Sequence, residues 1–251
     1  MKTSNKLLLG LCFTFWSCIL VGIVVAKSNM NVYRVGDDIE LTYQESKTLL
    51  ESYDSNILNL YGEDFRRFTL DPDQTSVIVK GDKRNVVEVS VMDDKGLYFY
   101  RKGDERVYAN LSVTIGTKGK EDLVLNIKKF SKVKNIGQLT GKIRVEIKND
   151  SELELNFQGN NLTINGKDDS LISLRGSSRV LSIVTEDDCA FYGQEFFADT
   201  LEVDLIEDAL VKLQGSKFVT GEVEDEAALL FSQSTNIGMV RKRGQGRVAV
   251  E

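Results

Sequence analysis

The chain has 251 residues, 28% of them charged, and a net charge of −6. That length holds one large domain or two small ones with a real core, and mild acidity speaks against general nucleic-acid binding, which rests on neutralising phosphates. There is no histidine, which removes the commonest general base, the Ser–His pair and the usual zinc sites, while carboxylates, Lys, Tyr and Cys remain.

Leu7 to Ala26 carries no charge, and its 20 residues match a helix crossing a bilayer core of about 30 Å. Lys2 and Lys6 precede it, while Asp37, Asp38 and Glu40 offset Lys27 and Arg34 after it. The positive excess predicts an N-terminus inside and the bulk of the chain exported. Residues 1–27 are read as an anchor in the inner membrane facing the periplasm. The competing reading is a signal peptide cleaved near Val24-Val25-Ala26, which releases the chain to the medium or the outer surface. Cys12 and Cys18 lie in this run and Cys189 far from it. This spacing suits neither a metal site nor a disulfide framework, and Cys189 is predicted to be a buried core thiol.

Residues 28–75 read as a juxtamembrane region. Leu49, Leu50 and Tyr53 hint at a short helix, and Ile57, Leu58 and Leu60 at a first strand. Past Pro72 the texture is alternation. Val77–Val79, Val86–Val91, Leu97–Tyr100, Leu111–Ile115 and Leu123–Ile127 are β-branched or aromatic runs, and Asp/Gly clusters separate several of them. These read as strands.

The second half repeats itself. An acidic residue recurs at Asp150, Asp169, Asp188, Asp208 and Glu226, in steps of 19, 19, 20 and 18 residues. A small residue follows each, and apolar columns lie three residues after (Leu153, Ile172, Phe191, Val211, Leu229) and seven before (Ile143, Leu162, Leu181, Leu201, Val219). A further column five after the acid falls on the same strand face as the column at three. A fixed period near 20 residues predicts a stacked solenoid, since each repeat buries its apolar face only against its neighbours. The fold class is all-β: a right-handed parallel β-helix over 76–235, behind an N-terminal transmembrane helix. The period disfavours the left-handed hexapeptide helix. Antiparallel hairpins remain the alternative, with Asn165-Gly166 as their one signal. Gly159, Gly176 and Gly215 are expected at a second corner with positive φ.

The acidic column is predicted to form structural turns, Asp bonding its own backbone; stacked carboxylates binding calcium are the competing reading. The pairs Asp168-Asp169, Asp187-Asp188 and Glu207-Asp208 raise the thought of a polysaccharide hydrolase or lyase. Surface aromatics among Tyr98, Phe99, Tyr100, Phe191, Tyr192, Phe196 and Phe197 would suit sugars, though alternation turns about half of them inward. Residues 236–251 read as a basic, glycine-rich, solvated tail.

Leu162-Thr163-Ile164 with Asp169-Ser170, Leu181-Ser182-Ile183 with Asp188-Cys189, and Leu201-Glu202-Val203 with Asp208-Ala209 resemble coils of the GIN domain, the candidate head domain of auto-transporter adhesins. The resemblance covers about residues 76 to 235, as a divergent member whose corners lack the family's fuller Ser-Gly-Ser-Gly-Asp form. It implies a β-helical exported module and supplies no catalytic residue. The sequence therefore points to a non-catalytic, adhesin-like binding or scaffolding module of the cell envelope. No cofactor and no nucleic acid is expected, and an envelope glycan or protein is the expected partner. A carbohydrate-active enzyme on the same fold and a self-assembling structural module are the alternatives.

Overall fold

The computed structural model describes residues 32–40, 45–62, 67–81, 86–92, 96–102, 112–233 and 235–250. Every regular element among them is a strand. Residues 7–26, expected to span a membrane, lie outside the described residues; among those described, no helix is long and apolar enough to cross one.

From residue 122 the chain winds as a solenoid. The strands are β9 (Asp122–Lys128), β10 (Lys132–Asn135), β11 (Lys142–Ile147), β12 (Glu152–Gly166), β13 (Leu171–Thr185), β14 (Ala190–Leu205), β15 (Leu210–Val223), β16 (Ala228–Phe231), β17 (Ile237–Lys242) and β18 (Arg247–Val250). Each of β12 to β15 turns a corner, its early residues pairing in one parallel ladder and its late residues in a second. Seven successive coils result. One column of the first ladder climbs Val133, Leu153, Ile172, Phe191, Val211, Leu229 and Val248. Its counterpart in the second ladder climbs Leu125, Val145, Ile164, Ile183, Val203, Gly221 and Val240. Both columns are buried except at Gly221 and at the last coil, where Val240 and Val248 are, like it, half-buried. The cause is period-2 alternation: in Lys-Ile-Arg-Val-Glu-Ile of β11, every second residue is buried. The hairpin alternative is thereby set aside for this part, and Asn165-Gly166 closes no reversal: Gly166 ends β12, and a Cβ there would stand 2.5 Å from the Cys189 sulfur.

The N-terminal strands pack out of sequence order. β3 (Ile57–Tyr61) and β4 (Arg67–Asp71) form a coil against β9 and β10. On its other side lie β7 (Gly96–Lys102) and β8 (Ser112–Gly116), also parallel. Between these two coils in sequence, β5 (Val77–Gly81) and β6 (Val86–Met92) run the opposite way, against β8 and β7. Among the described residues the stack ends on β2 (Glu45–Leu50) against β5 and β1 (Val32–Glu40) against β6, both antiparallel.

Two expectations are corrected. Leu49 and Leu50 end a strand and not a helix, because β2 pairs with β5 at the edge of the stack and buries both leucines. The basic residues beyond 236 form the seventh coil, where Val223 pairs with Lys242 and Leu229 with Val248. Glycine permits this: a Cβ on Gly246 would stand 2.3 Å from the Val223 carbonyl oxygen.

Candidate functional site

The corner between the ladders carries the acidic column. Asp150, Asp169, Asp188, Asp208 and Glu226 are all exposed and sit at successive turns. The conformational demand common to every coil falls one residue earlier: Lys129, Asn149, Asp168, Asp187, Glu207, Asp225 and Gly244 all have φ between 50 and 63°, and in three coils Phe130, Asp150 and Asp169 share it at 65, 52 and 39°. Asn and Asp tolerate that region best among residues with a side chain, and Gly is free in it. The small residue after each acid holds the turn from inside. Ser131, Ser151 and Ser170 hydroxyls donate to the carbonyls of Lys128, Lys148 and Lys167 at 2.7, 2.7 and 2.6 Å. Cys189, Ala209 and Ala227 fill the same place as fully buried apolar groups. Burial pushes the Cys189 thiol up to about 12, so it is inert at neutral pH.

Stacking brings like charges together. The Asp169 carboxyl is held above the usual range by desolvation first, then by Asp188 and Asp150. Glu207 is raised chiefly by a hydrogen bond with the Asp187 carboxyl, then by its charge. Neighbouring coils offset part of this: Asn149 donates to the Asp168 carboxylate at 2.9 Å, and Lys167 pairs with Glu186 at 2.5 Å. Among the described residues, no group of three or more carboxylate or thiol side chains is placed to hold a metal ion.

The second corner differs from expectation. Gly176 has φ of 106°, but Gly159 and Gly215 are not in the left-handed region. Gly159 is instead confined by crowding: a Cβ there would meet the Phe157 ring at 2.5 Å and the Gly141 carbonyl oxygen at 2.7 Å.

A groove opens on the outer face of the first ladder. It has a volume of about 330 Å³ and is lined in part by Asn135, Asn156, Ser173, Arg175, Tyr192 and Gln194. A bulge in β14 makes it. Ser173 pairs with Tyr192, but Arg175 pairs with Glu195, and the ladder slips again between Gly193 and Phe197. Such an insertion bends the strand and re-aims side chains. Here Phe191 and Phe196 point into the core while Tyr192 is half-exposed beside Gln194. On the floor, Asn156 accepts from and donates to Asn135: its N–H reaches Asn135 Oδ1 at 2.8 Å, and its carbonyl takes Asn135 Nδ2 at 3.0 Å. Arg175 and Glu195 close one side at 3.1 Å, both largely exposed. The one 20-residue step, Asp188 to Asp208, was the sequence signal of this bulge.

Solved structures share the fold. One from Bacteroides fragilis, named a "putative adhesin", matches with a TM-score of 0.65 over 84% of this chain and 99% of that one, at 12% identity. A second "putative adhesin", from Parabacteroides distasonis, gives 0.58 over 84% and 98% at 15% identity. A "putative lipid binding protein" from the same organism gives 0.55 over 83% and 97% at 11%. No family model and no curated protein matches the chain. The likeness is one of fold: an all-β solenoid.

Proposed function

We propose that the chain is a non-catalytic, adhesin-like binding module of the bacterial cell envelope, a divergent relative of the GIN domain. In this reading the parallel coils wind right-handed, as parallel crossovers do, and residues 1–27 tether the module to the inner membrane. The groove over β12 to β14 takes a stretch of envelope glycan. The observation that carries this is the groove's composition: two bonded asparagines, a serine and a glutamine beside the half-exposed Tyr192 ring. Amides and hydroxyls match sugar hydroxyls, and an aromatic face packs against a pyranose. The acidic corner is read as structure: the column's carboxylates stand exposed on turns, and two carboxyls of the corner are pushed toward protonation, Asp169 by desolvation first and then its neighbours, Glu207 by its hydrogen bond with Asp187.

The test incubates the full chain with envelope polysaccharides and follows retention and product release together. Retention without product, weakened about tenfold or more by Tyr192→Ala with an unchanged melt, supports the reading. Release of shortened glycan contradicts it and favours a carbohydrate-active enzyme. Retention on lipid vesicles and not on glycan contradicts it as well.

A further inference from the structure

Among the described residues, the two ends of the stack are open in complementary ways. At one end, β17 and β18 each pair on one side, with β15 and β16. Among the described residues nothing pairs with their outer edges. Ile237, Met239 and Val250 are 40, 79 and 48% exposed there. The coil 237–250 carries Arg241, Lys242, Arg243 and Arg247 and no acid. Arg241 and Arg243 reach Glu222 and Glu224, whereas Lys242 and Arg247 have no carboxylate partner among the described residues.

At the other end, β1 and β2 are the edges among the described residues. β1 is antiparallel to β6, which is antiparallel to β7, so β1 runs in the direction of the parallel strands. By the same step through β5 and β8, so does β2. Both edges at each end therefore point the same way. The sequence of β1 contains Asp37, Asp38 and Glu40 against one Arg34. Followed along the register, Val35 stands at the level of Phe99, two residues past Leu97, whose column is that of Val240. Val35 thus matches Lys242; the register then slips over Gly36, Asp37 and Asp38 and resumes with Ile39 at the level of Gly244, so the acids of β1 fall at the level of Arg243 and the turn that follows β17.

We infer that the chain stacks head to tail on further copies of itself, β17 and β18 of one copy extending in parallel onto β1 and β2 of the next. Open strand edges are templates for pairing, and edge Lys and Arg ordinarily prevent it by repulsion. Here the repulsion works against basic end on basic end, while the acids of β1 bring the opposite charge to the level of Arg243, just past Lys242. Such a contact is heterologous, so it does not close on itself and extends as a filament. Ala26 and Val32 are only a few residues apart, so a stack of copies that retain a membrane anchor runs along the membrane plane.

The experiment uses the full chain in a non-ionic detergent, a carbodiimide to join apposed lysines and carboxylates, and a denaturing gel. A ladder running past dimer is expected, with isopeptide bonds from Lys242 to Asp37, Asp38 or Glu40 found in its digested bands. Two variants, each required to melt like the parent, test the polarity: Lys242→Glu/Arg247→Glu and Asp37→Lys/Asp38→Lys. Each alone is expected to lose about tenfold or more of the ladder, and an equimolar mixture to restore it, because every end then meets its opposite. A parent that stays monomeric, a ladder that stops at dimer, a variant that still assembles alone, or binding of the basic end to anionic vesicles without cross-links overturns the inference. None of these results depends on glycan retention.

Discussion

At the scale of single residues, the corner is decided by backbone and burial more than by carboxylate chemistry. Glu207 holds φ of 63° without the tolerance of Asn, Asp or Gly. Glu207→Gly is expected to raise stability by about 0.5–1 kcal/mol in chemical denaturation, by removing backbone strain. Its raised carboxyl gives a separate test. Protonation favours the folded state, so this contribution is complete below the ordinary carboxyl range and is lost as pH rises through the raised value. Glu207→Gln mimics the protonated acid. It is expected to raise the melting temperature at neutral pH and to leave it unchanged near pH 3.5, below the usual Glu value of about 4.3. Cys189 is the second residue that separates readings. Cys189→Ser is expected to be tolerated within about 1 kcal/mol, since serine bonds a turn carbonyl at the equivalent place in three coils. Cys189→Arg buries an unpaired charge and is expected to abolish the cooperative melt. The position with positive φ in every coil is the one before the acid, though Asp150 and Asp169 share it in their own coils. An acid recurs regularly in the second column, while the first mixes Lys, Asn, Asp, Glu and Gly and shows its common φ only in three dimensions.

At the scale of elements, the long strands β12 to β15 carry the fold because each serves two ladders. Their corners need close backbone approach. A Cβ on Gly176 would stand 2.1 Å from the Phe157 carbonyl oxygen, with φ at 106°. Gly176→Ala is expected to cost about 2 kcal/mol or more, read as a lowered denaturant midpoint with unchanged slope. The apolar columns were legible because alternation and a near-constant period coincide: Leu153, Ile172, Phe191, Val211 and Leu229 are register partners and all buried. The bulge was not. Gly193 stands five after Asp188 and does pair with Leu213, but the slip at Leu174 that opens the groove leaves only one extra residue in a step. The floor residues Asn135 and Asn156 sit in coils whose outward positions follow no pattern, so pairwise bonding across coils had no sequence signature.

For the whole molecule, stacking makes stability a chain of nearest-neighbour contacts, with ion pairs such as Lys132–Glu152, Lys167–Glu186 and Lys217–Asp199 bridging adjacent coils. These pairs are exposed, so each contributes on the order of 0–1 kcal/mol and the buried columns dominate. The regular winding was readable from residue 143 onward. The earlier part was not, because the coil of β3 and β4 lies between strands that come later in sequence, and a period cannot reveal an insertion. The C-terminal coil was hidden by composition: Arg, Lys and Gly read as solvent-facing, yet its corner glycine at 244 and its paired strands repeat the geometry of Asp225 and Glu224-Asp225-Glu226-Ala227. The most direct test of the account is a set of spin-label distances from Phe130 to Asp169, Asp188, Asp208 and Glu226 in turn, with Cys12, Cys18 and Cys189 changed to Ser. Parallel stacking gives a rise of about 4.8 Å per coil, reaching about 24 Å at Glu226; distances that fail to grow with coil number contradict it.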